Sequence, residues 1–285
     1  MSTLTPHVAL VPDSPSVTLA NVSAVAAAIQ KQVARDFGPL WGINATVDAF
    51  ENLEAVPVDY WPVIIRDDIQ DPSAAGYHTD DQGQPFSLVQ ANPGWELTAS
   101  HEALEMLADP FGNRTIAGPP PPGAPAPASR FTRVIYLVEV CDPCEADQFA
   151  YEVNGIPLSD FITPHYYDPV GPTGVQYSFR GNIKEPHTVL SGGYVSFGNP
   201  VDSEWYQIVT LNGKSQLRKL GVIKTNQAKS LRELVDRAVR DIRKDEHYRT
   251  KAPVAAKAAA AAASPLAESS AARARSLRER MKELK

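Results

Sequence analysis

Apolar positions change period several times along the chain, and the changes mark its elements. From Asn21 onward Val22, Val25, Ile29, Val33 and Phe37 recur at helical spacing, with Gln30, Lys31 and Arg35 between them. Asn21 or Ser23 can cap this helix, and Gly38-Pro39 is expected to end it. Residues 43–50 then alternate, Ala45, Val47 and Ala49 against Asn44, Thr46 and Asp48, as a half-buried strand does. Residues 60–69 carry Trp61, Val63, Ile64 and Ile65 almost without interruption, which suits an inner strand. Asp81-Gln82-Gly83 has turn chemistry, and residues 86–90 form a short strand whose leading Pro85 suits a sheet edge. After Asn92-Pro93-Gly94, good helix formers run over residues 98–110 and stop at Pro110.

The second half reads as mostly β. Residues 131–140 hold Val134, Ile135, Tyr136, Leu137, Val138 and Val140, a strong strand. Asn154-Gly155 between two short apolar runs signals a hairpin. Short apolar runs punctuated by glycine follow over residues 170–223. From Ser230 the stripe Leu231, Leu234, Val235, Ala238, Val239 and Ile242 predicts an amphipathic helix. The organisation expected is an N-terminal arm at 1–20, a domain at 21–168 with a Pro-rich loop at 114–129, a β-rich part at 169–250, and an Ala-rich linker with a basic helical tail at 251–285.

Charge sharpens this division. Residues 1–213 hold 8 Lys/Arg against 25 Asp/Glu, a balance of −17, whereas residues 214–285 hold 19 against 8, a balance of +11. The basic tail is therefore expected to dock on the acidic body or to meet a protein or polyanion partner. No apolar run approaches the roughly 18 residues of a membrane span, and the first thirty residues lack a basic start followed by an apolar block, so a cytoplasmic setting is expected. Two cysteines, Cys141 and Cys144, exclude a disulfide framework and are read as buried or loop thiols.

Candidate chemistry concentrates on residues 98–110. Leu97, Leu104, Leu107 and Ala108 share one helical face, while His101 and Glu105, four apart, share another with Glu102 beside them. An imidazole and a carboxylate one turn apart can hold a metal ion, and a neighbouring carboxylate can take a proton from water that the metal acidifies. An ordinary helix with a charged solvent face would show the same spacing.

At these residues the chain resembles the zincin metallopeptidases, whose helix carries His-Glu-x-x-His; here Glu105 replaces the second His. The order helix, strand, strand, edge strand, metal-type helix over residues 21–110 is similar to the first half of zincin domains. The resemblance implies a zincin-like α+β fold: an N-terminal helix on a twisted mixed sheet, an edge strand before the metal-type helix, then a β-rich second half and C-terminal helices. It implies a metallopeptidase that hydrolyses peptide bonds with metal-activated water. A peptide or protein substrate would lie along the edge strand, His101 and Glu105 would be ligands, and Glu102 the catalytic base. One branch of the family takes its third ligand from a Glu some tens of residues downstream, which points to Glu145, with Glu139, Asp142 and Asp147 as neighbouring candidates. Asp109 lies two turns beyond His101, about 12 Å along the helix axis. One imidazole and two carboxylates suit zinc, and also manganese or magnesium. The departure at Glu105 supports an alternative as well: a catalytically inactive structural or assembly protein that binds partners through its Pro-rich loop and basic tail.

Overall fold

The computed structural model describes residues 5–72, 74–124, 133–169, 171, 174–224, 229–245, 277–279 and 281. It is a mixed α+β structure with one mixed and one antiparallel five-stranded sheet. The first sheet has the order β2-β1-β3-β5-β4, made from β1 (His7–Asp13), β2 (Thr46–Ala49), β3 (Tyr60–Arg66), β4 (Gly76–Asp81) and β5 (Gln84–Gln90). Strands β1, β2, β3 and β5 are parallel, and β4 runs antiparallel at the edge.

Residues 7–13 were expected to be part of an arm; they form a central strand between β2 and β3. His-Val-Ala-Leu-Val shows no alternation because both faces are buried: Val8 and Leu10 point into one core layer, Ala9 and Val11 into the other. The edge strand is also displaced by one from its expected position. Residues 86–90 lie inside the sheet, and β4, whose sequence reads as polar turn, closes it. Pro85 is tolerated because β3 pairs with β5 only from Ser87 onward, so the missing N–H falls outside that ladder. The β4–β5 turn places both Gln82 and Gly83 at positive φ, as a two-residue hairpin requires.

Helix α1 (Leu19–Gln32) is capped by Thr18, whose side chain accepts from the Asn21 amide while Asn21 answers to the Thr18 amide. Gly38-Pro39 does not end the helical path. It continues through a π turn (Val33–Phe37) and helix α2 (Gly38–Trp41), and stops at Gly42 with φ 67°. Gly38 is there for close approach: a Cβ would stand 2.4 Å from the carbonyl oxygen of Ile43. Helix α3 (Trp95–Ala108) follows β5 directly. It packs beside α1 on the same face of the sheet, where Ala99, Ala103, Leu104 and Met106 meet Val63, Ile65 and Val89. The opposite face, with Ala9, Val11, Ile64, Phe86 and Leu88, is covered by Leu53, Val56 and Ile69 and by Leu277 and Met281 of the tail.

The second sheet has the order β12-β11-β10-β7-β6 and is antiparallel throughout: β6 (Thr115–Gly118), β7 (Val134–Leu137), β10 (Tyr194–Gly198), β11 (Glu204–Leu211) and β12 (Lys214–Val222). Strand β6 takes the start of the segment expected to be a Pro-rich loop; residues 125–129 of that segment lie outside the described ones. The Asn154-Gly155 hairpin joins β8 (Tyr151–Val153) to β9 (Ile156–Leu158) as expected. A single core runs through both sheets, since Val195, Phe197, Tyr206 and Ile208 share it with Val8 and Ile29. The last described helix, α4 (Leu231–Asp245), buries Leu231 and Val235 against Leu137, Trp205 and Ile223. Its start is tied to the turn after α3: the Leu231 amide donates to Asn113 Oδ1 at 2.9 Å and the Arg232 amide to the Gly112 carbonyl at 2.9 Å. Among the described residues no helix is long and apolar enough to cross a membrane.

Candidate metal centre

Helix α3 has no charged solvent face. Glu102 and Glu105 are 3% and 0% exposed, because the loop after β7 and helix α4 close over the side that the sequence leaves polar. Ser100 anchors the helix from below: its hydroxyl donates to Gln32 of α1 and accepts from the Ser159 amide. The pitch of the helix then places His101 and Glu105 under residues 139–142, which leave β7 as buried irregular chain.

Three ligand atoms converge there. His101 Nε2 lies 3.3 Å from Glu105 Oε1 and 3.2 Å from Asp142 Oδ1. The edge of a tetrahedron with metal–ligand bonds of about 2.0–2.1 Å is roughly 3.3 Å, which matches both distances from His101, and the three ligand atoms all lie within 4.8 Å of one another. Glu105 Oε1 is fixed by the Cys141 amide at 3.1 Å, and the Cys141 thiol donates to the His101 carbonyl at 3.8 Å. Neither oxygen of Asp142 receives an aligned hydrogen bond from the described residues, although the side chain is buried. Buried polar atoms are ordinarily satisfied, and the charged neighbour of this carboxylate is the His101 ring, 3.2 Å from Oδ1 but not aligned as a hydrogen bond.

Without an ion, protons balance the charges. Burial opposes the imidazolium of His101, but Glu105 and Asp142 outweigh it and hold the His101 pKa well above the ordinary value. Burial likewise opposes the Glu105 carboxylate, but His101 and Arg232 hold its pKa well below the usual range. Asp142 is pushed up to about 6 by burial and by Glu105, with His101 and Arg232 pulling the other way. Glu139 is pushed well above its usual value by burial, with Glu105 and Asp142 adding to the shift. A divalent cation would displace these protons.

Of the residues expected from sequence, His101 and Glu105 are brought together as expected. The third converging group is Asp142, three residues before Glu145. Glu145 is half-buried and outside the ligand cluster; burial and the Asp142 charge push it up to about 8. Asp109 is used elsewhere, accepting from the amides of Asn113 and Arg114, and Asp147 is exposed at the start of a short turn. Glu102 lies under the edge strand, where a Cβ on Gly76 would stand 3.0 Å from its Oε1. Its Oε2 is 3.5 Å from His78 Nδ1 and has no hydrogen-bond partner among the described residues. Cys141 and Cys144 are free, buried thiols whose pKa burial pushes well above the usual value, and neither belongs to the converging group. His165 is exposed and paired with Asp168, and the Tyr151 hydroxyl donates to Asp36.

Arg232 of α4 was not anticipated. Its Nη1 lies 3.2 Å from Glu105 Oε2 and 2.9 Å from Glu139 Oε2, and it contacts His78 Nδ1. No local pattern could have found it, because the arginine stands 127 residues from Glu105. Of the cluster, the His101 side chain is 13% exposed and those of Glu105, Asp142 and Arg232 are at most 8% exposed, so α4 and the Asp142 loop together close the centre.

Asp142→Asn is expected to weaken zinc binding by about 100-fold or more, since loss of a ligand exceeds the 10–100-fold effect of outer-shell changes. Glu145→Gln is expected to leave it within about threefold, by the same comparison. Competition titration against a chelating dye reads both, and the opposite ranking would return the third-ligand role to Glu145. Comparison of the chain with protein family models, with curated proteins and with solved structures finds no match.

Proposed function

We propose that this protein is a zincin-like metal-dependent hydrolase of peptide bonds, with His101, Glu105 and Asp142 holding one divalent ion, zinc or manganese. The observation that carries the reading is the convergence of His101 and Glu105, on the helix that directly follows the sheet, with Asp142 of the turn after β7; both carboxylates are buried, and neither Asp142 oxygen receives an aligned hydrogen bond among the described residues. A backing helix between parallel strands, an antiparallel edge strand, and the ligand-bearing helix directly after the inner strand β5 support the same reading.

A divalent ion would supply a Lewis acid that polarises a substrate carbonyl and eases deprotonation of water. The chain's own residues would do the rest. Glu102, next to His101 on the helix and without a hydrogen-bond partner at Oε2 among the described residues, is the group to accept the proton. Among the described strands β4 stands at the end of the sheet and pairs with β5, and an extended peptide substrate would lie along it.

A second reading is favoured by the closure of the centre and by the tail. Leu277 and Met281 are buried on the body and Arg278 pairs with Glu54, which suits a catalytically inactive protein whose termini organise an assembly.

Elemental analysis of the purified protein, with His101→Ala and Glu102→Gln alongside, separates the readings. About one ion per chain, absent in His101→Ala, with peptidase activity lost in Glu102→Gln while the ion stays, is the expected result. An ion with no activity in any variant moves the weight to the assembly reading. No ion after loading with zinc or manganese overturns the metal centre.

A further inference from the structure

The guanidinium of Arg232 sits where a second ion could sit. His78 Nδ1, Glu105 Oε2 and Glu139 Oε2 all face its Nη1, and one ligand atom from each residue lies within 4.8 Å of the others. The His78 tautomer is set by its surroundings. The Asp109 carbonyl, 3.0 Å from Nε2, can only accept, so Nε2 carries the proton and Nδ1 offers its lone pair. A ring held by a backbone carbonyl on one nitrogen is how a ligating histidine is usually oriented, and here the other nitrogen, Nδ1, meets Arg232. Glu139 is 7% exposed, and neither of its oxygens receives an aligned hydrogen bond among the described residues, even with Arg232 close by. Glu105 faces both ways, Oε1 toward His101 and Asp142, Oε2 toward His78 and Arg232.

Buried carboxylates need a cation, and here it arrives on a separate element. Helix α4 brings Arg232 from beyond the second sheet, and Asp236 holds its Nε at 3.7 Å. The guanidinium and a divalent ion exclude one another at this position, by contact and by like charge.

We propose that His78, Glu105 and Glu139 form a second divalent-cation site that Arg232 fills. With α4 docked the centre takes one metal; with Arg232 removed it takes two, bridged by Glu105. The count of one in the wild type rests on the reading of His101, Glu105 and Asp142 given above, but the second site stands on its own residues.

The test is ion stoichiometry, with zinc and manganese titrated separately and read by calorimetry and by elemental analysis after gel filtration. The wild type is expected to bind one ion, Arg232→Met two, and Arg232→Met combined with Glu139→Gln one again. The same count in Arg232→Met as in the wild type overturns the proposal, as does an added ion that survives Glu139→Gln. If Arg232→Met folds only when zinc is supplied and then holds two ions, the proposal stands; if no cation restores its fold, it falls. A wild type that binds nothing defeats the first site alone. An ion that appears in Arg232→Met and disappears with Glu139→Gln still supports the second.

Discussion

Glu105→Ala is expected to lower stability by about 3–5 kcal/mol, the range seen when one partner of a buried ion pair is removed. The carboxylate holds His101, Arg232 and the Cys141 amide at once, and it is fully buried. Its loss leaves the Cys141 amide without its acceptor, His101 with Asp142 and Arg232 with Glu139 and Asp236, one carboxylate fewer for each cation in low dielectric. Glu105→Gln separates fold from chemistry. The amide oxygen can still accept from Cys141, so the shape is kept, while the charge that pairs with Arg232 and a metal is gone. Its stability is expected to lie between those of the wild type and Glu105→Ala, and its metal binding to be lost. Chemical denaturation of the three proteins, with and without zinc, is the measurement. Equal stability of Glu105→Ala and wild type in metal-free buffer would contradict the network described here.

Removing residues 251–285 is expected to be the other large effect. Leu277 and Met281 are 1% and 3% exposed, packed on the sheet face that carries Ala9, Val11, Ile64, Phe86 and Leu88. At about 1.5–3 kcal/mol for each buried aliphatic side chain, their loss removes roughly 3–6 kcal/mol and opens an apolar face. Exposed apolar faces of this kind self-associate. The truncated chain is thus expected to unfold at lower denaturant and to gain mass in light scattering, and Leu277→Ala with Met281→Ala is expected to reproduce most of both changes. If the double variant matches wild type while the truncation does not, the tail acts through something other than these two side chains. A truncation that stays monomeric and equally stable removes the tail from the body altogether. The charge asymmetry read from sequence fits the docked arrangement: Arg278 of the basic tail pairs with Glu54 of the acidic body.

The sequence alone determined whatever depends on neighbours in the chain. The helical stripe of α1, the run of β3, the Asn154-Gly155 hairpin and the amphipathic pattern of α4 were legible because period and turn chemistry are local. So was the pairing of His101 with Glu105, since four residues make one helical turn. Strand β1 was read only as extended chain, because a parallel strand buried on both faces has no alternation to see. Strand β4 was missed because an edge strand can be polar, and Pro85 misled because its meaning depends on which neighbour pairs beside it. Only the tertiary structure decided that Asp142, not Glu145, reaches His101, because the turn after β7 rotates successive side chains in directions that no spacing rule encodes. Only the tertiary structure brought His78 and Arg232 to Glu105. Burying several carboxylates together requires a compensating cation, and packing, not sequence position, selects the element that supplies it.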